Sequence, residues 1–215
     1  GTKMMRSDYY EVPIIQSNDK NQTIGQVIVQ VDNDNNPIDA FTYHHNPFHF
    51  PSDAAIVRLI GKYSKDIEEG NRIIGYNTEQ LYKNRIGAEA TTAMVERFDA
   101  DIAFINTAGV REVIKTGEIR VKDIFEVFPF DNKVVVVNIS GKVFKELYHQ
   151  QGSYLYFNQT LDLSKIKDND NYKIATIDYV YIDNRYQKYF KNTLGEDQDL
   201  MRDVFIDYIE EFYKN

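Results

Sequence analysis

The stretch that most constrains this sequence is residues 101–106, where Ile102, Ala103, Phe104 and Ile105 follow one another without a polar break. A strand with one wet face alternates apolar and polar residues. A strand apolar at every position is covered on both faces. Residues 133–139, with Val134, Val135, Val136 and Val137 in succession, predict a second buried strand. Two such strands require helices to cover them, which predicts an α+β fold: a layered mixed sheet with helices.

The rest of the chain supplies those helices. Ser52 and Asp53 cap a helix expected over 54–69, with Ala55, Ile56, Leu59, Ile60, Tyr63 and Ile67 on its apolar face and Gly70 as its stop. Further helices are expected over 88–98, 121–127, from Ser140 to His149, and over 199–213, where Leu200, Val204, Phe205, Tyr208, Ile209 and Phe212 recur at helical spacing. Residues 108–115 read as one or two helical turns. Strands are expected over 12–16, 24–31, 38–43, 73–76, 154–157 and 172–177. The cluster Asp32-Asn33-Asp34-Asn35-Asn36-Pro37 turns 24–31 into 38–43 as a hairpin. Two prolines, Pro47 and Pro51, mark 46–51 as a loop or linker, and 165–171 as a surface turn follows from its polarity.

A chain of 215 residues can bury about 70% of its unfolded surface and needs no covalent staple. It contains no cysteine, which excludes disulfides, iron–sulfur clusters and thiolate zinc sites. Its net charge of −8, from 25 basic and 33 acidic residues interleaved, disfavours a duplex nucleic-acid partner. No apolar run reaches the length of a membrane span. Lys3, Arg6, Asp8 and Glu11 interrupt any signal-peptide core, and Gly1 reads as a cleavage scar.

Most catalytic templates fail at once. The sequence has no GxGxxG, no Walker lysine loop and no GxSxG. His44, His45 and His49 lie near one another in a proline-bounded region without the glutamate of a zincin, so they suit a solvated loop better than a metal site. Three segments carry more. Asn106-Thr107-Ala108-Gly109-Val110-Arg111 ends a buried strand in a small-residue turn, which aims an amide and a guanidinium at the end of a sheet. That suits an anion, and equally suits an arginine paired with one of the many acids. In Phe128-Pro129-Phe130-Asp131-Asn132, the proline forces a bend that turns Phe130 outward beside the Asn132 amide; both rings in the core is the alternative. An exposed ring beside an amide fits base stacking and base-edge reading. Tyr179 follows the strand that ends near Asp178, as a ligand contact or as a half-buried phenol.

In this order, the three segments resemble the C-terminal domain of the 5′-nucleotidase family, which includes UDP-sugar hydrolases and 2′,3′-cyclic phosphodiesterases. The resemblance runs from Ile73 to Glu210. It also draws on Ile86-Gly87, Gly117-Glu118-Ile119, Ile139-Ser140-Gly141, Tyr172-Lys173-Ile174-Ala175-Thr176 and Leu200-Met201-Arg202-Asp203. It implies that Asn106 and Arg111 contact the substrate, that Phe130 and Tyr179 stack on the two faces of a base, and that Asn132 meets the base edge. Where the family carries Gly-Gly-Asp-Gly, this chain reads Val180-Tyr181-Ile182-Asp183-Asn184-Arg185-Tyr186, and Asp183 stands nearest the ribose-binding carboxylate. Arg85 stands nearest the family's upstream arginine.

The resemblance implies a nucleoside or nucleotide as ligand. It also implies hydrolysis by a separate metallophosphoesterase domain, attached in cis or acting in trans, with two divalent ions (Mn, Zn, Mg or Ca). The metal motifs of that domain are missing from this sequence, so no cofactor and no catalytic residue is assigned to this chain. Residues 1–50 are expected to be the end of that domain with its linker, and 51–215 the C-terminal domain. A secreted, periplasmic or cell-wall location follows from the family. The altered 180–186 segment leaves room for a second reading, a non-catalytic module that kept the fold without its ligand.

Overall fold

The computed structural model describes residues 3–6, 11–17 and 22–214, so Gly1 lies outside the described residues. The chain divides into two units, Gly1–Tyr63 and Ser64–Asn215.

The first unit contains two hairpins. β1 (Lys3–Arg6) pairs antiparallel with β2 (Glu11–Ile14), and β3 (Ile24–Val31) with β4 (Pro37–His45). The turn between β3 and β4 is built by Asp32, whose carboxylate accepts from the Asp34 and Asn36 amides, with Asn35 at φ 64°. His44 and His45 lie in β4 rather than in a loop, and the His45 ring is hydrogen-bonded to Gln26 across the hairpin. Helix α1 (Ala54–Lys62) starts where expected, because Asp53 accepts from the Ala55 and Ile56 amides. It ends early. Tyr63 leaves helical dihedrals, and α2 (Ser64–Gly70) begins anew in the second unit.

The second unit is built on a five-stranded mixed sheet. Its strands are β6 (Ile102–Asn106), β8 (Lys133–Ser140), β9 (Leu155–Phe157), β10 (Asn171–Ile177) and β11 (Glu196–Leu200), in the order β11-β8-β10-β6-β9. β10 runs parallel to β6 and antiparallel to β8, with Ile174 opposite Ile102 and Ile177 opposite Val134. A separate pair, β5 (Ile73–Asn77) and β7 (Gly117–Arg120), lies outside the main sheet. α3 (Lys83–Phe98), α4 (Val121–Val127), α5 (Gly141–Gln151), α6 (Asp178–Ile182) and α7 (Met201–Phe212) complete the unit. The fully buried Ile102–Ile105 run and the Val134, Val135 and Val137 side chains bear out the reading of two covered strands. Phe104, Phe144 and Phe157 meet in one aromatic cluster, with ring centroids 5.7–6.3 Å apart.

Three local expectations need correction. α3 starts at Lys83, five residues before Ala88, because Gly87 is no obstacle: it is where the helix closes on the sheet. A Cβ there would lie 2.1 Å from the Tyr156 ring. Residues 108–115 form no helix beyond the short 3₁₀ turn Thr107–Gly109. Their backbone groups are taken by neighbours, with the Arg111 amide donating to the Val127 carbonyl at 2.8 Å and Ile114 bridging to Leu81. The terminal helix begins at Met201, and the acidic stretch before it pairs along β8 as β11.

The contact at Gly87 carries a stability prediction. Gly87→Ala forces the Tyr156 ring out of place and lowers stability by about 1–3 kcal/mol, the usual cost of overpacking. Urea unfolding followed by circular dichroism measures it. An unchanged midpoint would show that the helix is not in tight contact there.

Candidate functional site

The sheet register decides what can meet at its edge. β6 and β10 are parallel neighbours, so their C-terminal ends lie side by side; β8 is antiparallel to β10, so its beginning lies at that same edge. Whatever follows Asn106, whatever follows Ile177 and whatever precedes Lys133 must converge there, the position where open α/β sheets hold ligands.

A cleft of about 260 Å³ opens at this edge, lined by Asn106, Ala108, Gly109, Arg111, Phe130, Asn132 and Tyr179. Five of the seven site residues named from sequence are therefore brought together. Phe128 is buried edge-to-face against Phe205, at 5.5 Å between centroids. Phe130, two residues on, is 50% exposed. Proline between the two rings sends one inward and one out. Tyr179 is 40% exposed and sits in the first turn of α6, because β10 ends at Ile177.

The polar wall comes from the β6 end. Asn106 Oδ1 is buried and has no hydrogen-bond donor among the described residues. Gly109 makes room for it, since a Cβ at that position would approach this oxygen to 3.0 Å. Arg111 is exposed, and its Nη1 reaches the Ala108 carbonyl only at 3.4 Å, a long contact that a better acceptor would displace. Lys83, from the start of α3, donates to the Arg111 carbonyl at 2.8 Å and adds a second cation near this wall.

Asp183 and Arg85 are not among the residues that line the cleft. Asp183 follows α6, and Arg185 wraps it: Oδ1 accepts from the Arg185 amide (2.9 Å) and Nε (3.1 Å), and Oδ2 from Nη2 (3.1 Å). These contacts push its carboxyl down to about 2. Arg185 Nη2 also donates to the Tyr179 hydroxyl at 3.1 Å, so this side of the cleft ends in a guanidinium. Arg85 lies on α3, where Nε donates to Glu89 at 2.8 Å and Nη1 pairs with Glu79. Glu89 is buried and accepts the Tyr213 hydroxyl at 2.7 Å, which fastens the end of α7 to α3. Reading the sequence for long-range roles passed over Lys83 and Arg185. The signal for Arg185 was its position two residues from Asp183.

No group of three or more His, Asp or Glu side chains suited to a metal ion occurs among the described residues. Nor, among them, is any helix long and apolar enough to cross a membrane.

The comparisons with known proteins agree with this fold. Residues 60–164 match the model of the 5′-nucleotidase C-terminal domain. The 5′-nucleotidase of Vibrio parahaemolyticus is 38% identical over 74 residues, 34% of this chain and 12% of that protein. Protein UshA of Escherichia coli is 29% identical over 97 residues, 45% of this chain and 17% of that protein. Among solved structures, a 5′-nucleotidase precursor from Thermus thermophilus matches 95% of this chain and 50% of its own, with a TM-score of 0.69 at 19% identity. A putative 5′-nucleotidase from Staphylococcus aureus matches 99% and 52%, with a TM-score of 0.68 at 14% identity. The chain thus spans about half the length of these solved relatives, and its matched stretch about an eighth of the Vibrio protein. The likeness to a 5′-nucleotidase C-terminal domain covers just under half of the chain by family model and most of it by fold.

The Tyr213 contact sets a pH limit on this framework. Burial, and then the hydrogen bond to Glu89, push the Tyr213 phenol well above its ordinary value. The folded chain therefore holds this proton more tightly than the unfolded one. The associated stability is complete below pH about 10 and is lost as pH rises beyond it. Tyr213→Phe is expected to cost about 1–2 kcal/mol at neutral pH, by stripping Glu89 of a donor, and to flatten the alkaline decline. Urea midpoints across the alkaline range measure both effects, and an equally steep decline in the variant would refute the assignment.

Proposed function

We propose that this domain recognises a nucleoside or nucleotide, stacking the base between Phe130 and Tyr179, reading its edge with Asn132, and holding ribose or phosphate with Asn106 and Arg111. The observation that supports the reading is the cleft itself: two half-exposed rings, two amides and a guanidinium, drawn from three distant segments, face one space of about 260 Å³. The uncompensated Asn106 Oδ1 is an acceptor that a ligand donor would satisfy. Stacking on each ring contributes about 1–3 kcal/mol.

Hydrolysis belongs in this reading to a metallophosphoesterase domain, in cis or in trans. Attack of water on a phosphate ester at neutral pH calls for Lewis-acid metal ions, and two divalent ions in that domain would supply it. The division of labour, recognition here and chemistry there, makes this chain catalytically silent by itself. A location outside the cytoplasm goes with it, in line with the precursor form of the Thermus relative.

One observation favours the second reading, a module that kept the fold without its ligand. The carboxylate of Asp183, nearest to a ribose contact by sequence, is already occupied by three donors from Arg185.

Calorimetric titration with adenosine, AMP and a UDP-sugar, with and without Mn²⁺, separates the two. The recognition reading expects saturable, metal-independent binding with a dissociation constant of order 10 μM to 1 mM. It expects Phe130→Ala and Tyr179→Ala each to weaken binding about five- to 150-fold, the range spanned by 1–3 kcal/mol. No binding at millimolar ligand overturns it in favour of the second reading. Metal-dependent phosphate release from AMP by the pure chain overturns the division of labour.

A further inference from the structure

Phe130 stands in 128–132, a connection between α4 and β8 outside any regular element. A stacking face is useful only if it stays parallel to its ligand, so something outside the cleft has to fix this connection. We propose that Arg202, in the first turn of α7, is a positioning residue for the Phe130 ring. Its guanidinium ties together the two ends of the segment that carries the ring.

Three contacts fan out from this one group. Nη1 donates to the Phe128 carbonyl at 3.3 Å, Nη2 donates to Asp131 Oδ1 at 2.6 Å, and the guanidinium carbon lies 3.9 Å from the centroid of the Phe125 ring. Residues 125, 128 and 131 bracket Phe130 on both sides. The preceding residue adds a fourth point, since the Met201 amide donates to the Asn132 carbonyl at 2.9 Å. Met201, Ile105 and Ile177 line, together with Phe128 and Phe130, a gap of about 10 Å³.

As a device for stability this is poor. The Arg202 side chain is 8% exposed while its partner Asp131 is 78% exposed, and Arg202 Nε has no acceptor among the described residues. A hydrophobic residue of similar volume commonly does as well or better where a guanidinium is buried at such cost. An apolar side chain cannot, however, hold two separate polar points at a set spacing. The rigid planar fork of arginine does so, and the shorter reach and single point charge of lysine do not. The chemistry is that of a brace.

The consequence for ligand affinity rests on the proposed stacking role of Phe130, whereas the bracing of the ring does not, and the test reads them separately. The chain has no tryptophan, so Phe130→Trp places a single indole at the ring position. Its fluorescence anisotropy in the ligand-free chain reports how firmly that position is held. Adding Arg202→Met, or Asp131→Ala at the exposed end of the brace, is expected to lower the anisotropy and increase acrylamide quenching, with Arg202→Lys falling between. With Phe130 itself restored, the adenosine dissociation constant is expected to rise about tenfold for Arg202→Met and about threefold for Asp131→Ala. If Arg202→Met fails to fold, Asp131→Ala decides alone. Unchanged anisotropy and quenching in the folded variants overturn the proposal. A loss of anisotropy in a chain that binds no adenosine upholds the brace and removes the stacking role instead.

Discussion

The hydrogen-bonded seam that joins β8, β10 and β6 determines where every other part of the second unit can be. With Ile174 opposite both Ile102 and Val137, a single strand holds a parallel neighbour on one side and an antiparallel one on the other. This arrangement brings two strand ends and one strand beginning to the same edge. Antiparallel pairing throughout would place the β6 end and the β10 end at opposite edges, separating Asn106 from Tyr179. A slip of β10 by one residue against β8 would turn its buried side chains toward the other face. Close packing on both faces of β6 and β8 makes such a slip costly, because side chains of different size would have to exchange places.

Around this seam, the acids and bases act at short range. Arg185 fills Asp183, Arg85 binds Glu89 one helical turn away, and Arg202 reaches Asp131 and Phe128 from α7. Their effect is directional: each settles where a guanidinium or carboxylate points, and so which charges face the cleft. Arg111 faces it, whereas Asp183 is turned into a ligand for an arginine.

How far the sequence could be read followed from the range of the forces involved. The β6 and β8 runs were legible because burial on both faces removes all polar residues, a signal independent of context. The outward turn of Phe130 was legible from Pro129, which restricts the residue before it as well as its own backbone. β11 was hidden, since Glu196–Leu200 holds three charged or amide side chains between its ends and becomes a strand only because the β8 edge offers it partners. The start of α3 was hidden by Gly87, which reads as a breaker until Tyr156 is seen against it. Asp183 and Arg85 went to local partners at i+2 and i+4. Reasoning from their place in a family pattern assigned them by position, while the closest available charge decided their contacts.

The three walls of the cleft come from three separate stretches of chain, and each is held by its own anchors: the Asn106 wall by β6, the Phe130 wall by α7, the Tyr179 wall by Arg185. They are in that sense interchangeable parts on a shared chassis. A substitution within 180–186 can reshape one wall while the other two keep their form, so under the proposed function ligand preference would drift by small steps, one segment at a time, without the fold having to be reinvented.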